Sequence, residues 1–187
     1  MSSAHAAIPV TSSWVKRFAR LIPNNGVVLD LACGSGRHSQ FLASLGYSVL
    51  AVDQDASLIE PLKSTLITPK CLNLEQGAWP LLGEKFAGIV VTNYLYRPHL
   101  DQLPGLLEEN GILIYETFAQ GNEQFGKPSN PNFLLNTGEL LAFAARHSLQ
   151  VIAYEDIYVE EPKPAMVQRL CALKGRLKDR IPLQFQA

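Results

Sequence analysis

The sequence predicts an α/β fold with a doubly wound, mostly parallel sheet of seven strands and an antiparallel C-terminal strand. Apolar strand-like runs alternate with helical periodicity along the chain. Central runs such as Phe86 to Asn93 are almost continuously apolar, which is typical of parallel strands that are covered on both faces. The runs Leu149 to Val159 and Ala165 to Gly175 are joined by EEPKP, which is too short for a helical crossover. The last strand should therefore pair antiparallel with the strand before it.

The other elements follow from the same patterns and from their start and stop signals. Helices are predicted at Ser13 to Ile22, Arg37 to Leu45, Ala56 to Leu62, Asp101 to Glu109 and Leu140 to His147. Strands are predicted from Val27 to Asp30, Tyr47 to Asp53, Leu66 to Leu72 and Gly111 to Phe118. Pro23 and Gly46 close the first two helices, and Asn136 with Glu139 forms a capping pattern before the last one.

Length and composition fit one domain over residues 1–187, with residues 1–25 as a leading helical segment. No apolar run is long enough to cross a bilayer, and the N-terminal residues lack the features of a signal peptide, so a cytoplasmic location without membrane association is expected. A net charge of −1 makes nucleic acid an unfavourable partner and favours a small-molecule substrate. Cys33, Cys71 and Cys171 match neither a disulfide framework nor a metal site, and we expect reduced thiols and no metal.

The most informative segment is VVLDLACGSGRHS, residues 27–39. It places an apolar strand, an acid, a glycine-rich turn and a helix start within thirteen positions. Gly34 and Gly36 allow a ligand to approach main-chain N–H groups at the start of the following helix. A dinucleotide site and an S-adenosylmethionine site both require this arrangement.

Asp30 and Ser39 distinguish these two ligands. The dinucleotide fingerprint has a third Gly or Ala where this chain has Ser39. The first strand instead ends in an acid four residues before Gly34, in the pattern Asp30-x-x-x-Gly34-x-Gly36. This pattern resembles motif I of the class I, Rossmann-like S-adenosylmethionine-dependent methyltransferases. The resemblance implies the Rossmann-like methyltransferase fold and S-adenosyl-L-methionine as cofactor, with Asp30 fixing the loop and the cofactor's amino group.

A second carboxylate, Asp53, ends the next strand seventeen residues beyond Gly36. A carboxylate at this position can accept hydrogen bonds from both hydroxyls of a ribose, in either class of enzyme. By the resemblance, Asp53 is the ribose-binding acid, with Gln54 and Asp55 close to the adenine. The cofactor-binding residues that the resemblance implies are Asp30, Ala32, Cys33, Gly34, Ser35, Gly36, His38, Asp53, Gln54, Asn73, Leu74, Glu75 and Asn93.

The residues after the fourth strand, TNYLYRPH, occupy the position of methyltransferase motif IV. By the resemblance, Asn93 and Tyr94 are the candidates for the transfer centre. Tyr96, Arg97 and His99 are second choices, and for Arg97 and His99 a solvated or packing role is favoured. Trp79 either covers the adenine or packs in the core.

The fifth strand leads from Glu116 into about eighteen residues without strong periodicity, a length that is uncommon in compact proteins unless the segment binds or covers a ligand. Residues 119–135 are therefore predicted to be an active-site loop or lid. Phe125 and Phe133 from this loop, together with Phe118 before it, could roof a substrate pocket. The motif I segment, NYLYRPHL and the long loop together resemble small bacterial methyltransferases of the tellurite-resistance type, over Val27 to Leu141.

Methyl transfer from a sulfonium depends mainly on proximity, alignment and exclusion of water. A base is needed only for a hydroxyl or protonated amine, and Glu116 is the best candidate ahead of His38 and His99. Three functions stay open: a methyltransferase acting on a small acceptor, an NAD(P)-type oxidoreductase, and a non-catalytic S-adenosylmethionine-binding protein. The sequence favours the first, because Ser39 and the antiparallel ending disfavour the second.

Overall fold

The computed structural model describes residues 10–176. Its helices are α1 (Ser13–Phe18), α2 (Arg37–Ser44), α3 (Ala56–Ile59), α4 (Arg97–Leu100), α5 (Leu103–Leu106) and α6 (Glu139–Arg146). Its strands are β1 (Val27–Leu31), β2 (Ser48–Asp53), β3 (Ile67–Cys71), β4 (Phe86–Thr92), β5 (Leu107–Phe118), β6 (Gln150–Val159) and β7 (Ala165–Leu173). The first nine residues of the expected leading segment lie outside the described residues. None of the helices in this range combines the length and apolarity required to cross a membrane.

The seven strands form one sheet in the order β3-β2-β1-β4-β5-β7-β6. The first five strands pair in parallel, whereas β7 runs antiparallel to both of its neighbours, β5 and β6. This arrangement confirms the predicted fold class. The carboxyl ends of β1, β2, β4 and β5 meet at one edge of the sheet, which is where ligands bind in folds of this kind.

Both faces of the sheet are covered by helices. Successive side chains of a strand point to opposite faces, so a central strand contributes to two apolar clusters. On β1, Val28 packs with Trp14, Phe18 and Leu42 of α1 and α2. Its neighbour Leu29 belongs to a second cluster, on the α4, α5 and α6 side of the sheet. All seven residues of β4 are buried, which explains its continuous apolar sequence.

The predicted helix from Asp101 to Glu109 is wrong. The single-turn helix α4 ends just before this region, α5 is the single-turn helix within it, and β5 already begins at Leu107. Pro98 and Pro104 lie in the first turns of α4 and α5. A proline lacks the N–H that a helix interior requires, so each proline marks the start of a new turn. The apolar residues Leu103, Leu106 and Leu107 repeat at helical spacing, but they are divided between a helix and a strand.

Candidate active site

A cavity of about 820 Å³ opens at the carboxyl edge of the parallel strands. The glycine loop after β1 supplies Ala32, Cys33, Gly34 and Ser35, and the end of β4 supplies Thr92, Asn93, Tyr94 and Leu95. The remaining lining residues are Arg37, Leu58, Glu75, Thr117, Phe118, Lys127, Pro128, Phe133 and Lys163. The structure thus brings together residues that the sequence predicts for both the cofactor and the transfer centre.

The glycine loop takes its shape from left-handed backbone conformations. Ala32, Gly34 and Gly36 have φ angles of 54°, 55° and 73°. A Cβ atom on Gly36 would lie 2.3 Å from Cδ1 of Leu62, so the loop packs tightly against the chain at this point. A Cβ atom on Gly34 would meet no described atom within 4 Å, and Gly34 lines the cavity. The backbone at Gly34 is therefore open to close approach by a ligand.

Asp30 supports this loop from within the protein. Oγ of Ser39 donates a hydrogen bond of 2.6 Å to Oδ2 of Asp30, while Oδ1 of Asp30 is buried without a hydrogen-bond partner among the described residues. Burial raises the pKa of Asp30 to about 6. The Asp30 side chain is 1% exposed and lies outside the cavity lining, so its direct role is to connect β1 with the first turn of α2.

Asp53 connects the second strand to the glycine loop. Its Oδ2 accepts a hydrogen bond of 2.9 Å from the backbone N–H of Gly34, and its Oδ1 accepts one of 3.1 Å from the N–H of Asp55. These bonds hold the carboxylate at the end of β2, next to a residue of the cavity wall. Gln54 is exposed, and neither Gln54 nor Asp53 lines the cavity.

Of the three candidates after β3, Glu75 alone lines the cavity. Asn73 uses its Oδ1 to accept the N–H of Glu75 at 2.9 Å, and Leu74 is 4% exposed within the core. Tyr96 donates a hydrogen bond of 3.0 Å from its hydroxyl to the carbonyl oxygen of Glu75. The loops after β3 and β4 are therefore joined.

Trp79 and His99 pack together, with ring centroids 5.0 Å apart, and Tyr96 lies 5.2 Å from His99. Trp79 belongs to the apolar core, and neither Trp79 nor His99 lines the cavity. This geometry supports the packing interpretation for both residues.

His38 has a structural environment, and its predicted role at the cofactor site is not supported. The side chain is 1% exposed and lies outside the cavity lining. Nε2 accepts the N–H of Ser12 at 3.3 Å, so in the neutral ring Nδ1 carries the proton and donates to Oγ1 of Thr92 at 3.2 Å. Burial lowers the pKa of His38 to about 3, which keeps the ring neutral. Both ring nitrogens are occupied, so His38 is also a poor candidate for a base.

Asn93 and Tyr94 lie where motif IV predicts them. Asn93 is exposed, has a φ of 54°, and donates its backbone N–H to the carbonyl oxygen of Glu116 at 2.9 Å. Asparagine tolerates this conformation better than most residues do. The Tyr94 hydroxyl is buried near Glu75, and burial raises its pKa above the usual range. Tyr115 donates from its hydroxyl to the carbonyl oxygen of Tyr94 at 2.8 Å, which holds this turn in place.

Glu116 forms an ion pair with Arg169, its register partner on β7, and Arg169 also pairs with Glu155. The side chains of Glu116 and Arg169 are 10% and 14% exposed. Glu116 lines a second cavity of about 350 Å³, which adjoins the first one. The ion pair with Arg169 holds the Glu116 carboxylate in place. A role of Glu116 as a base stays a prediction.

Arg97 is half-buried and lies outside the cavity wall. It donates two hydrogen bonds of 2.8 Å to the carboxylate of Glu139, and it donates to the carbonyl oxygens of Asn132 and Leu134 at 2.8 and 2.7 Å. Arg97 therefore joins α4, the end of the long loop and the start of α6.

The segment 119–135 is ordered by local turns. It contains 3-10 turns at Asn122–Gln124 and Pro131–Phe133, and a bridge joins Ala119 to Leu135. Phe118 and Phe133 line the cavity, whereas Phe125 packs against Tyr158 at 5.2 Å between ring centroids. Closure of this segment over a substrate stays a prediction.

Sequence reasoning missed the cationic residues of the site. Arg37 and Lys163 line both cavities, Lys127 lines the larger one, and Lys16 and Arg169 line the smaller one. Arg37 stands within the glycine motif, so its position offered a signal. Lys163 comes from the turn between β6 and β7, and no local pattern indicates that this turn reaches the site.

Residues 5–80 match the family model of the tellurite resistance protein TehB. This match confirms the predicted resemblance to the tellurite-resistance type over the part of the chain that holds the glycine loop. No curated protein matches the chain.

The fold is similar to several solved structures. A TehB from Haemophilus influenzae has a TM-score of 0.69 and 19% identity, over 88% of this chain and 62% of that chain. A TehB-like SAM-dependent methyltransferase from Corynebacterium glutamicum has a TM-score of 0.59 and 22% identity, over 84% and 87%. Coclaurine N-methyltransferase bound to N-methylheliamine and SAH has a TM-score of 0.63 and 12% identity, over 86% and 71%. The chain thus has the fold of these methyltransferases and spans less than two thirds of the Haemophilus protein.

Proposed function

We propose that this protein transfers a methyl group from S-adenosyl-L-methionine to a small-molecule acceptor. The observation that carries the proposal is the junction of the glycine loop with Asp53 at the edge of a large cavity, where Gly34 donates to the carboxylate at 2.9 Å. The match of residues 5–80 to the TehB family and the SAH-bound state of one structural relative support this cofactor.

The residues present fit such a cofactor. Gly34 leaves the space that its absent Cβ would fill, and Oδ1 of Asp30 is a buried acceptor without a partner in the described chain. Asp53 would bind the ribose, and Glu75 lies on the cavity wall after β3. S-adenosylmethionine supplies an electrophilic methyl group with a neutral thioether as leaving group.

The residues of the chain would bind the cofactor, orient the acceptor and exclude water from the site. Asn93 and Tyr94 are proposed to orient the acceptor, because they line the cavity immediately after β4 and their turn is held by Tyr115. Glu116 is proposed to act in catalysis from the second cavity, where Arg169 positions its carboxylate. Residues 119–135 would shield the site, with Phe133 at the cavity wall.

Residues 1–187 are proposed to form one methyltransferase domain with a small-molecule substrate in the cytoplasm. Two observations disfavour an NAD(P)-type oxidoreductase. The strand β7 is antiparallel, and the third position of the dinucleotide fingerprint is Ser39, whose hydroxyl donates a hydrogen bond to Asp30.

The test is calorimetric binding of S-adenosylhomocysteine and NAD to the full chain. We expect S-adenosylhomocysteine to bind and NAD not to bind. Asp53→Ala should weaken binding by about 1.5–3 kcal/mol, because a charged acceptor is lost. Glu60→Gln, an exposed change on the turn after α3, is the matched control and should bind normally. Unchanged affinity of Asp53→Ala would contradict the ribose assignment, and NAD binding alone would contradict the proposed function.

Turnover is tested with S-adenosylmethionine that carries a labelled methyl group and a broad panel of small acceptors. Transfer to one acceptor class supports the enzyme. Binding of S-adenosylhomocysteine without transfer to any acceptor would favour a non-catalytic cofactor-binding protein.

A further inference from the structure

The two cavities share one wall. Arg37, Asn93, Phe118 and Lys163 line both of them, whereas the glycine-loop residues line only the larger one. A molecule in the smaller cavity would therefore face the proposed cofactor cavity across Asn93. Its volume of about 350 Å³ lies in the range of pockets that hold small molecules.

The smaller cavity is more cationic than the protein as a whole. Among its lining residues are four cationic side chains, Lys16, Arg37, Lys163 and Arg169, and two acidic ones, Glu116 and Glu161. The whole chain has a net charge of −1, so the excess of positive charge is local. Concentrated charge of one sign in a cleft attracts ligands of the opposite sign.

The two arginines that line this cavity interact with carboxylates of the protein itself. Arg169 pairs with both Glu116 and Glu155, and Arg37 interacts electrostatically with Glu116 as well. Lys16 and Lys163 make no ion pair with any carboxylate in residues 10–176. Lys16 and Lys163 are exposed, so their positive charge remains available to a ligand.

The same cavity also has an apolar side. Phe118 stands on the shared wall, with Nζ of Lys163 5.6 Å from its ring centroid, and Ala165 and Val167 of β7 line the cavity next to it. The site therefore combines cationic groups with apolar surface, which suits a molecule that has an anionic group and an apolar body.

The walls of the cavity are held in place by hydrogen bonds. The N–H of Ser12 donates to His38 at 3.3 Å, and Oγ1 of Thr11 donates to the carbonyl oxygen of Arg37 at 3.3 Å. Thr11 and Ser12, which line the cavity, are thus attached to α2. Other lining residues, such as Ala165 and Val167, belong to β7 of the sheet. A preformed cavity costs less ordering on binding than one formed by mobile segments.

We propose that the acceptor is a small organic carboxylate whose anionic end binds in the smaller cavity, with its reacting end directed past Asn93 toward the larger cavity. The carboxylate group lies near Lys16 and Lys163, and the apolar body lies against Phe118. This inference rests on the proposed methyl transfer, because it assigns the acceptor of that reaction.

The test uses phenylacetate and its neutral analogue phenylacetamide as probes, titrated into the full chain in the presence of S-adenosylhomocysteine. Backbone amide NMR shifts give both the affinity and the position of binding. We expect phenylacetate to bind roughly tenfold more tightly than phenylacetamide, because a charge-assisted contact is worth more than a neutral one. The largest shifts should fall on Asn93, Phe118 and Val167.

Lys16→Met and Lys163→Met should each reduce the preference for phenylacetate over phenylacetamide by several-fold. Lys70→Met, an exposed change on β3 at the other edge of the sheet, is the matched control and should retain the preference. Thermal unfolding of each variant separates loss of binding from loss of fold.

The outcomes distinguish the two proposals. If S-adenosylhomocysteine binds but the acid and the amide bind equally, or the shifts fall elsewhere, the carboxylate subsite is overturned and the methyltransferase proposal stands. If S-adenosylhomocysteine does not bind, the proposed function fails, and the acceptor role fails with it even where phenylacetate binds.

Discussion

Oγ of Ser39 donates a 2.6 Å hydrogen bond to Oδ2 of Asp30, and both side chains are at most 1% exposed. Asp30 lies near the end of β1 and Ser39 lies in the first turn of α2, so the bond joins the two elements that flank the glycine loop. The two residues that distinguish a methyltransferase motif from a dinucleotide motif in the sequence are therefore direct partners in the structure.

Ser39→Ala should destabilise the protein by about 1–3 kcal/mol, because it removes a hydrogen bond from a buried carboxylate that already has one oxygen without a partner. Urea unfolding at pH 7 measures the change. Ser44→Ala, which removes an exposed hydrogen bond to the carbonyl oxygen of Phe41, is the control and should cost well under half as much. Equal effects of the two changes would contradict the role assigned to Ser39.

Asp30 and His38 should have opposite effects on the pH dependence of stability. The pKa of Asp30 rises from 3.8 to about 6 on folding, so the folded state holds a proton that the unfolded state loses, and stability falls as the pH rises through this window. The pKa of His38 falls from 6.5 to about 3, so the unfolded state holds the extra proton, and stability rises over the same window. Near pH 5 the two slopes largely cancel.

Single variants should reveal each slope. Asp30→Asn should make stability rise with pH between 4.5 and 5.5 by about 1.4 kcal/mol per pH unit relative to the unaltered protein. His38→Gln should make stability fall by a similar amount per unit. Urea unfolding at several pH values within this window gives the slopes. Parallel profiles for all three proteins would show that neither group titrates differently on folding.

Gly34→Ala and Gly36→Ala should separate binding from folding. Both residues have a positive φ, so each alanine costs about 1–2 kcal/mol in backbone conformation. Gly36→Ala should cost a further 1–3 kcal/mol or so, because its Cβ would lie 2.3 Å from Leu62. Gly34→Ala places its Cβ toward open space at the cavity, so it should weaken S-adenosylhomocysteine binding more than tenfold.

Calorimetry and thermal unfolding of both glycine variants provide the comparison. The double variant Gly36→Ala, Leu62→Ala should lose the steric part of the Gly36→Ala penalty, which a double-mutant cycle isolates. Full cofactor affinity in Gly34→Ala would show that the ligand does not approach the backbone there.

Arg97→Lys should destabilise the protein by about 2–3 kcal/mol despite the conserved charge, because lysine cannot donate to both oxygens of Glu139 and to two carbonyl oxygens at once. Hydrogen exchange should increase at residues 131–136, where these carbonyl oxygens lie. In a cycle with Glu139→Gln, a coupling energy near zero would contradict the bidentate pair. Arg146→Lys, in an exposed pair with Asp101, is the control.

The elements with the strongest periodicity could be predicted from the sequence. The region in which one apolar pattern is divided between short helices and a strand could not. The continuous apolar run of β4 and the short EEPKP connection determine a buried parallel strand and an antiparallel ending, because each depends on local spacing. The prediction of a helix at Asp101 to Glu109 was wrong because Leu107 reaches the core from a strand. A leucine on a helix at that position would be buried in the same core. Burial in a core does not reveal which element supplies the residue.

The sequence by itself determined the glycine loop, the two acids at Asp30 and Asp53, and the parallel strands with an antiparallel ending, because these features are encoded in short segments with characteristic spacing. Only the tertiary structure decided the roles of residues whose partners are distant in the chain. It placed His38 between Ser12 and Thr92, paired Arg97 of α4 with Glu139 of α6, and placed Lys163 on the wall shared by the two cavities. The physical reason is that the pKa, hydrogen bonding and charge environment of a side chain depend on its neighbours in space, and spacing along the chain does not specify them.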